Sequence, residues 1–162
     1  MVNNQAIVSV IAKISAINNA PCKKTLQKII FLIQAKKINL GCDYGIHFFG
    51  PYSSDLDFAV RELCDQGVLS IEYTSLEHRI HIADSSDFTS YDNERVNAIV
   101  NEFAKETPSE LELLATALYV YLSNNDITKI KSGVVKIKGD KYSEHRIDLA
   151  IERLKKTGYI VS

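Results

Sequence analysis

Two histidines three residues apart, His78 and His81, are the first candidates for metal or proton chemistry in this chain of 162 residues. They fall in a segment that reads as a strand, where side chains alternate between faces, so they point away from each other and cannot share an ion. His47 and His145 have no ligand-type residue four positions on. The run from Gly133 to Lys141 has the outline of a phosphate-binding loop. However, five residues separate its two glycines, Asp140 precedes the lysine, and Tyr142 stands where a serine or threonine would reach magnesium. Three cysteines, Cys22, Cys42 and Cys64, are odd in number and lack C-x-x-C spacing. They suit reduced, partly buried thiols better than disulfides or zinc. No G-x-S-x-G elbow and no H-E-x-x-H pair is present. Asp55 and Asp57 lie on different faces of a helix and are accounted for as first-turn acids favoured by its dipole. The expectation is a protein that is not an enzyme, with no metal, no cofactor and no small-molecule substrate.

Binding remains, and charge guides it. The first 42 residues hold six lysines and no acid, residues 43–110 hold four bases against fourteen acids, and residues 111–162 hold nine bases against six acids. This layout fits two basic ends sharing a face, or surfaces of opposite sign packed together. Lys129, Lys131, Lys136, Lys138 and Lys141 precede a helix bearing Arg146, Arg153, Lys155 and Lys156, and Lys23, Lys24 and Lys28 can join them. That set suits phosphates, or it is a solvated face. By contrast, Asp55, Asp57, Glu62 and Asp65 against Arg61 leave the third helix at −3, which repels a duplex and favours a protein partner.

These residues need elements to position them. Ala59 to Leu69 recurs 91 residues later as Ala150 to Ile160. Each copy has an apolar helical face, a glycine four residues after its leucine, and an apolar strand start. This is how the third helix of a winged helix-turn-helix enters its wing. Upstream, Ile7, Val10, Ile11, Ile14 and Ile17 mark a first helix, and the run Ile29 to Ile33 marks a buried second one over 23–36. Ile46 to Phe49 reads as a short strand broken by Gly50-Pro51, after which Ser54 caps the third helix with Asp57 as its partner. There Gly50-Pro51-Tyr52-Ser53 positions the third helix, or offers the Tyr52 hydroxyl and open N–H groups at the helix mouth to a phosphate or an acidic side chain. Val68 to Tyr73 and His78 to Ile82 pair as a wing, and Asp84 to Ser90 has loop composition. Val96, Ile99, Val100 and Phe103 mark a helix. Thr107-Pro108-Ser109-Glu110 starts another, whose apolar stretch Leu111 to Leu122 is the buried element joining two halves. Asp126 caps a helix carrying Ile127, Ile130, Val134 and Ile137. Ser143 caps the last helix, which stops at Gly158 before a short strand over 159–161.

The segments Lys23 to Phe31 and Ile46 to Leu56 together resemble the bacterial YwgA-like proteins, with the likeness extending into Glu110 to Ala117. More distantly they are similar to the Panacea or SocA-like antitoxin domain through its KLQK…YGP pattern. The chain departs from the latter in Phe48-Phe49 before Gly-Pro and in its short stretch after Gly158. The resemblance implies a helical, winged-helix-like fold without catalysis, and for the Panacea relatives the neutralisation of protein toxins.

The expected fold is mainly α (α+β), as two fused winged helix-turn-helix-like units with a small β-wing: residues 1–84, and a helical unit over 91–162 with a truncated end. With 46% apolar residues, no run of roughly 20 apolar residues for a membrane span, and no basic n-region ahead of Lys13, a cytoplasmic protein of bacterial or phage type is expected. Its function is read as non-catalytic binding of a protein of toxin, effector or nuclease type through Tyr52, Asp55, Asp57, Arg61 and Asp65. The alternative is a winged-helix DNA-binding transcriptional regulator using Lys129, Lys131, Lys136, Lys138, Arg146, Arg153, Lys155 and Lys156.

Overall fold

A computed structural model describes residues 1–84 and 91–161 of the chain. The predicted loop after Asp84 therefore lies, from Ser85 to Ser90, outside the described residues. Helix α1 (Asn4–Ile17) is capped by Asn3, whose side chain accepts the Ala6 N–H at 3.1 Å, and it buries Ile7, Val10, Ile11 and Ile14. Helix α2 (Lys23–Gln34) is buried from Thr25 to Ile33, as its continuous apolar run requires. Strands β1 (Gly45–His47) and β2 (Gly50–Tyr52) form an antiparallel hairpin with Phe48 and Phe49 at its turn. The predicted single strand broken at Gly50-Pro51 is thus corrected. Positive φ falls on Gly50 (+92°) and on neither phenylalanine, the arrangement of a type I turn closed by a glycine bulge. Pro51 fits because a two-stranded sheet has only edges.

Helix α3 (Ser54–Asp65) buries Leu56, Ala59, Val60 and Leu63. Its cap is Ser53 rather than Ser54: the fully buried Ser53 is extended, and its hydroxyl accepts the Leu56 N–H at 3.2 Å. Strands β3 (Leu69–Tyr73) and β4 (His78–Ile82) pair antiparallel from Leu69–Ile82 to Tyr73–His78. The Ile80 N–H bonds the Pro21 carbonyl at 2.8 Å, tying β4 to the start of α2.

After α4 (Glu94–Phe103) comes α5 (Pro108–Asn124), started by Thr107 accepting the Glu110 N–H at 3.1 Å and ended by a left-handed Asn125. Its buried stretch runs from Leu111 to Leu118 and includes Val120, whereas Leu122 is exposed. It packs against α2 and β2 on one side. On the other lie α6 (Ile130–Lys138) and α7 (Glu144–Lys156). Asp126 opens a 3-10 turn over Ile127–Lys129 that precedes α6, so the single predicted helix is in fact two pieces. Only Ile130 and Val134 of its predicted stripe are buried. The core is one cluster drawing on all seven α-helices among the described residues. No helix among them is long and apolar enough to cross a membrane.

Both copies of the repeat stop alike. Gly67 and Gly158 are left-handed, and the next N–H, of Val68 or Tyr159, bonds the Leu63 or Leu154 carbonyl at 2.9 and 2.8 Å. They then diverge. The predicted strand over 159–161 does not form, because the Ile160 N–H also folds back on Leu154 and the Tyr159 hydroxyl donates to the Leu32 carbonyl.

At the α5–α6 contact, a Cβ on Gly133 would lie 2.4 Å from Val120 Cγ1. Gly133→Ala is expected to cost about 1–2 kcal/mol in urea unfolding, since overpacking exceeds the gain in helix propensity. Pairing it with Val120→Ala should cost less than the two single changes together.

Candidate functional site

The two motifs that drew attention in the sequence are hydrogen-bonded to each other. Consecutive residues of α2 hold the hairpin: Gln27 donates to the Ser53 carbonyl and accepts the Ser53 N–H, both at 2.9 Å. Lys28 donates to the Pro51 carbonyl at 2.8 Å. Tyr44 completes the grip by donating to the Gln27 carbonyl at 2.7 Å. Gly50 lies against Thr116, Glu112 and Lys28 with no room for a side chain. From α5, Glu112 pairs with Lys138 of α6 and, at 2.8 Å, with Lys141. Lys138 also donates to the Phe48 carbonyl at 2.6 Å. The Phe48 and Pro51 carbonyls therefore end on two ammonium groups, those of Lys138 and Lys28, whose side chains lie in the interior.

Such burial is expensive, at several kcal/mol per ion before its partners are counted. Lys28 is 1% exposed and Glu112 2%. Burial pushes the Glu112 carboxyl up, but hydrogen bonds from Lys138 and Lys141 outweigh it and hold it below the usual range. Burial also pulls the Lys28 ammonium down to about 8, with Glu112 opposing. A lysine depressed in the fold has fewer protons there than in the unfolded chain, so stability rises with pH above its folded value. Cys42, pushed up to about 11 by burial, acts in the opposite sense once the unfolded thiol ionises near 9. Between pH 8 and pH 9 stability should therefore rise by about 1 kcal/mol. Chemical denaturation of the protein and of Lys28→Met checks this, and the rise should vanish in the variant. Lys28 is closed off by its own packing and is no accessible nucleophile.

This mount presents aromatic surface. Phe48 is 85% exposed at the turn, packed edge-on to Phe49, and the Lys24 ammonium lies 4.0 Å over the Phe49 ring. Phe58 is 61% exposed in the middle of α3. Between Phe49, Lys23 and Lys24 on one side and the exposed Leu76 of the β3–β4 turn on the other lies a groove of about 460 Å³.

Of the predicted protein-binding residues, Tyr52, Asp57 and Arg61 face one another along the first turns of α3, whereas Asp55 turns away from them. Tyr52 packs on His47, and burial together with the Asp57 carboxylate pushes its phenol up, so its hydroxyl is not free as expected. Asp57 pairs with Arg61 at 2.5 Å and Lys23 at 3.9 Å. Asp55 accepts the Asp43 N–H at 2.9 Å. Asp65 lies exposed at the far end of α3. The phenylalanines were missed, although one signal was available: Phe58 is two positions from Leu56, about 200° around the helix from its buried stripe.

Of the basic set, Lys131 pairs with Glu144 and Asp148, Arg146 with Glu110, Arg153 with Glu102 and Glu106, and Lys155 with Glu152. Lys138 belongs to the buried network, and buried Lys28 cannot join a surface as expected. Lys129, Lys136 and Lys156 have no carboxylate partner among the described residues. His81 lies against Glu72 at 2.9 Å, while His78 packs on Tyr73.

No family model matches the chain. It is 26% identical over 141 residues to the uncharacterized protein YwgA of Bacillus subtilis (strain 168), a match that covers 80% of this chain and 82% of that protein. The likeness runs through four fifths of both sequences, so the chain is similar to YwgA over most of its length.

Proposed function

We propose that this protein is a non-catalytic protein-binding module that restrains or regulates a partner, and that residues 45–65 are its contact surface. Phe48 at 85% and Phe58 at 61% exposure on a rigidly anchored hairpin and helix carry the proposal. Aromatic side chains left in water on a pre-organised element are the usual anchors of protein interfaces. Phe58 shares the solvent face of α3 with Ser54, Arg61, Glu62 and Asp65. That mixture suits a partner that is apolar at its centre and basic at its rim.

In this proposal residues 1–84 are a winged-helix-like unit, with α3 in the recognition position and β3–β4 as the wing, and residues 91–162 form the second, truncated unit. Protein rather than DNA is the ligand because α3 is acidic. The motif likeness to the SocA-like antitoxin domain, read from residues alone, is in keeping with a toxin, effector or nuclease as partner. A salt titration with random duplex DNA tests the choice. No binding is expected at about 150 mM salt. Binding that survives there, with a slope of several released counterions that Lys129→Glu and Lys136→Glu reduce, would replace this proposal with the DNA-binding regulator.

A further inference from the structure

Away from the hairpin, a cavity of about 390 Å³ opens between the end of α2, the exposed side of α4 and the end of α7. Lys36, Arg95 and Lys156 line it, and none has a carboxylate partner among the described residues. The one acid on its wall, Glu102, shares Arg153 with Glu106, at 3.4 and 2.7 Å. Lys36 donates to the Thr157 carbonyl at 2.6 Å and lies 4.4 Å over the Tyr159 ring, while Arg95 donates to the Lys36 carbonyl at 2.6 Å. The cations thus sit at the C-terminal ends of α2 and α7, each worth roughly half a negative charge. Three cations against one acid leave the wall net positive even after the helix ends are counted, which suits the dianion of a phosphate monoester. Ala98, Ile99 and Phe103 supply an apolar wall beside it.

We infer that this cavity binds a small organic phosphate monoester, its phosphate among Lys36, Arg95 and Lys156 and its organic part against α4. This is independent of the protein-binding surface. The Lys36 ammonium is already held below its ordinary value, by burial and by Arg95, so an anion there relieves an existing repulsion.

Phenyl phosphate titrated into the full chain and followed by amide NMR should give saturable shifts centred on Ala98, Ile99 and Thr157. Inorganic phosphate should bind at least about tenfold more weakly, lacking the apolar contact. Lys156, whose side chain makes no hydrogen bond or ion pair among the described residues, is the clean position to change. Lys156→Glu should lose at least about tenfold in affinity at unchanged melting temperature, and Lys156→Arg should keep it. Shifts that do not saturate or scatter over the surface, equal binding by Lys156→Glu, equal affinity for inorganic phosphate, or the same shifts with phenol would each overturn the proposal.

Discussion

Glu112→Ala is expected to destabilise the protein by about 3–5 kcal/mol, read as a lower urea midpoint at an unchanged slope. The carboxylate is the shared counter-charge of Lys138 and Lys141 and lies beside Lys28. Lys141 is half exposed and can return to water. Lys138, whose side chain is 5% exposed, and Lys28 cannot, and both are tied to carbonyls of the hairpin. Their unpaired charges make the loss large. Because the Lys28 ammonium is already depressed to about 8, shedding its proton limits the cost at neutral pH to the lower part of that range. Glu112→Gln keeps hydrogen bonding and should cost less. A double-mutant cycle between Glu112→Ala and Lys138→Ala should show at least about 1 kcal/mol of coupling, and additivity would mean that the pair does not act as a unit.

Gly50→Ala carries the second large expected effect, about 2–4 kcal/mol. Left-handed backbone costs a residue with a Cβ about 1–2 kcal/mol, and overpacking adds about 1–3. Here φ is +92° and the new Cβ would lie 2.8 Å from Thr116 Oγ1. Gly67 is a natural comparison, since its φ is +77° with nothing near its Cβ position, so Gly67→Ala should show the backbone cost alone. Thr116→Ala should rescue most of the contact cost in Gly50→Ala. Its hydroxyl is buried and makes no hydrogen bond, so removing it loses little. Equal costs at Gly50 and Gly67 would show that the turn is not pressed onto α5.

The features legible in the sequence were those with local causes. Caps at Thr107 and Ser143, glycine stops at Gly67 and Gly158 and the buried run of α5 each depend on residues a few positions apart. Ser53 and Ser54 could not be separated locally, because Gln27 of a different helix decides which of them is extended and buried. The strand expected after Gly158 failed for a similar reason. Its first two N–H groups close α7, and among the described residues no strand pairs with them. Lys138 looked like part of a basic surface because its partners, Glu112 and the Phe48 carbonyl, come from α5 and the hairpin turn. Acidic residues drew attention to α3, yet two of its acids are engaged within the fold, and the exposed side chain that marks a contact surface is Phe58.

Comparative co-purification from the protein's own cells tests the central claim most directly, using the tagged chain, Phe58→Ser, the pair Phe48→Ser with Phe49→Ser, and Leu149→Ser as an exposed control on α7. One protein should be recovered in near-equal amount by the unaltered chain and by Leu149→Ser. It should fall by at least about thirtyfold with either phenylalanine variant, the loss of an interface anchor worth about 2 kcal/mol, while all four melt within a few degrees of one another. A partner recovered equally by all four proteins would contradict residues 45–65 as the contact surface, and duplex DNA recovered in place of a protein would contradict the protein-binding function itself.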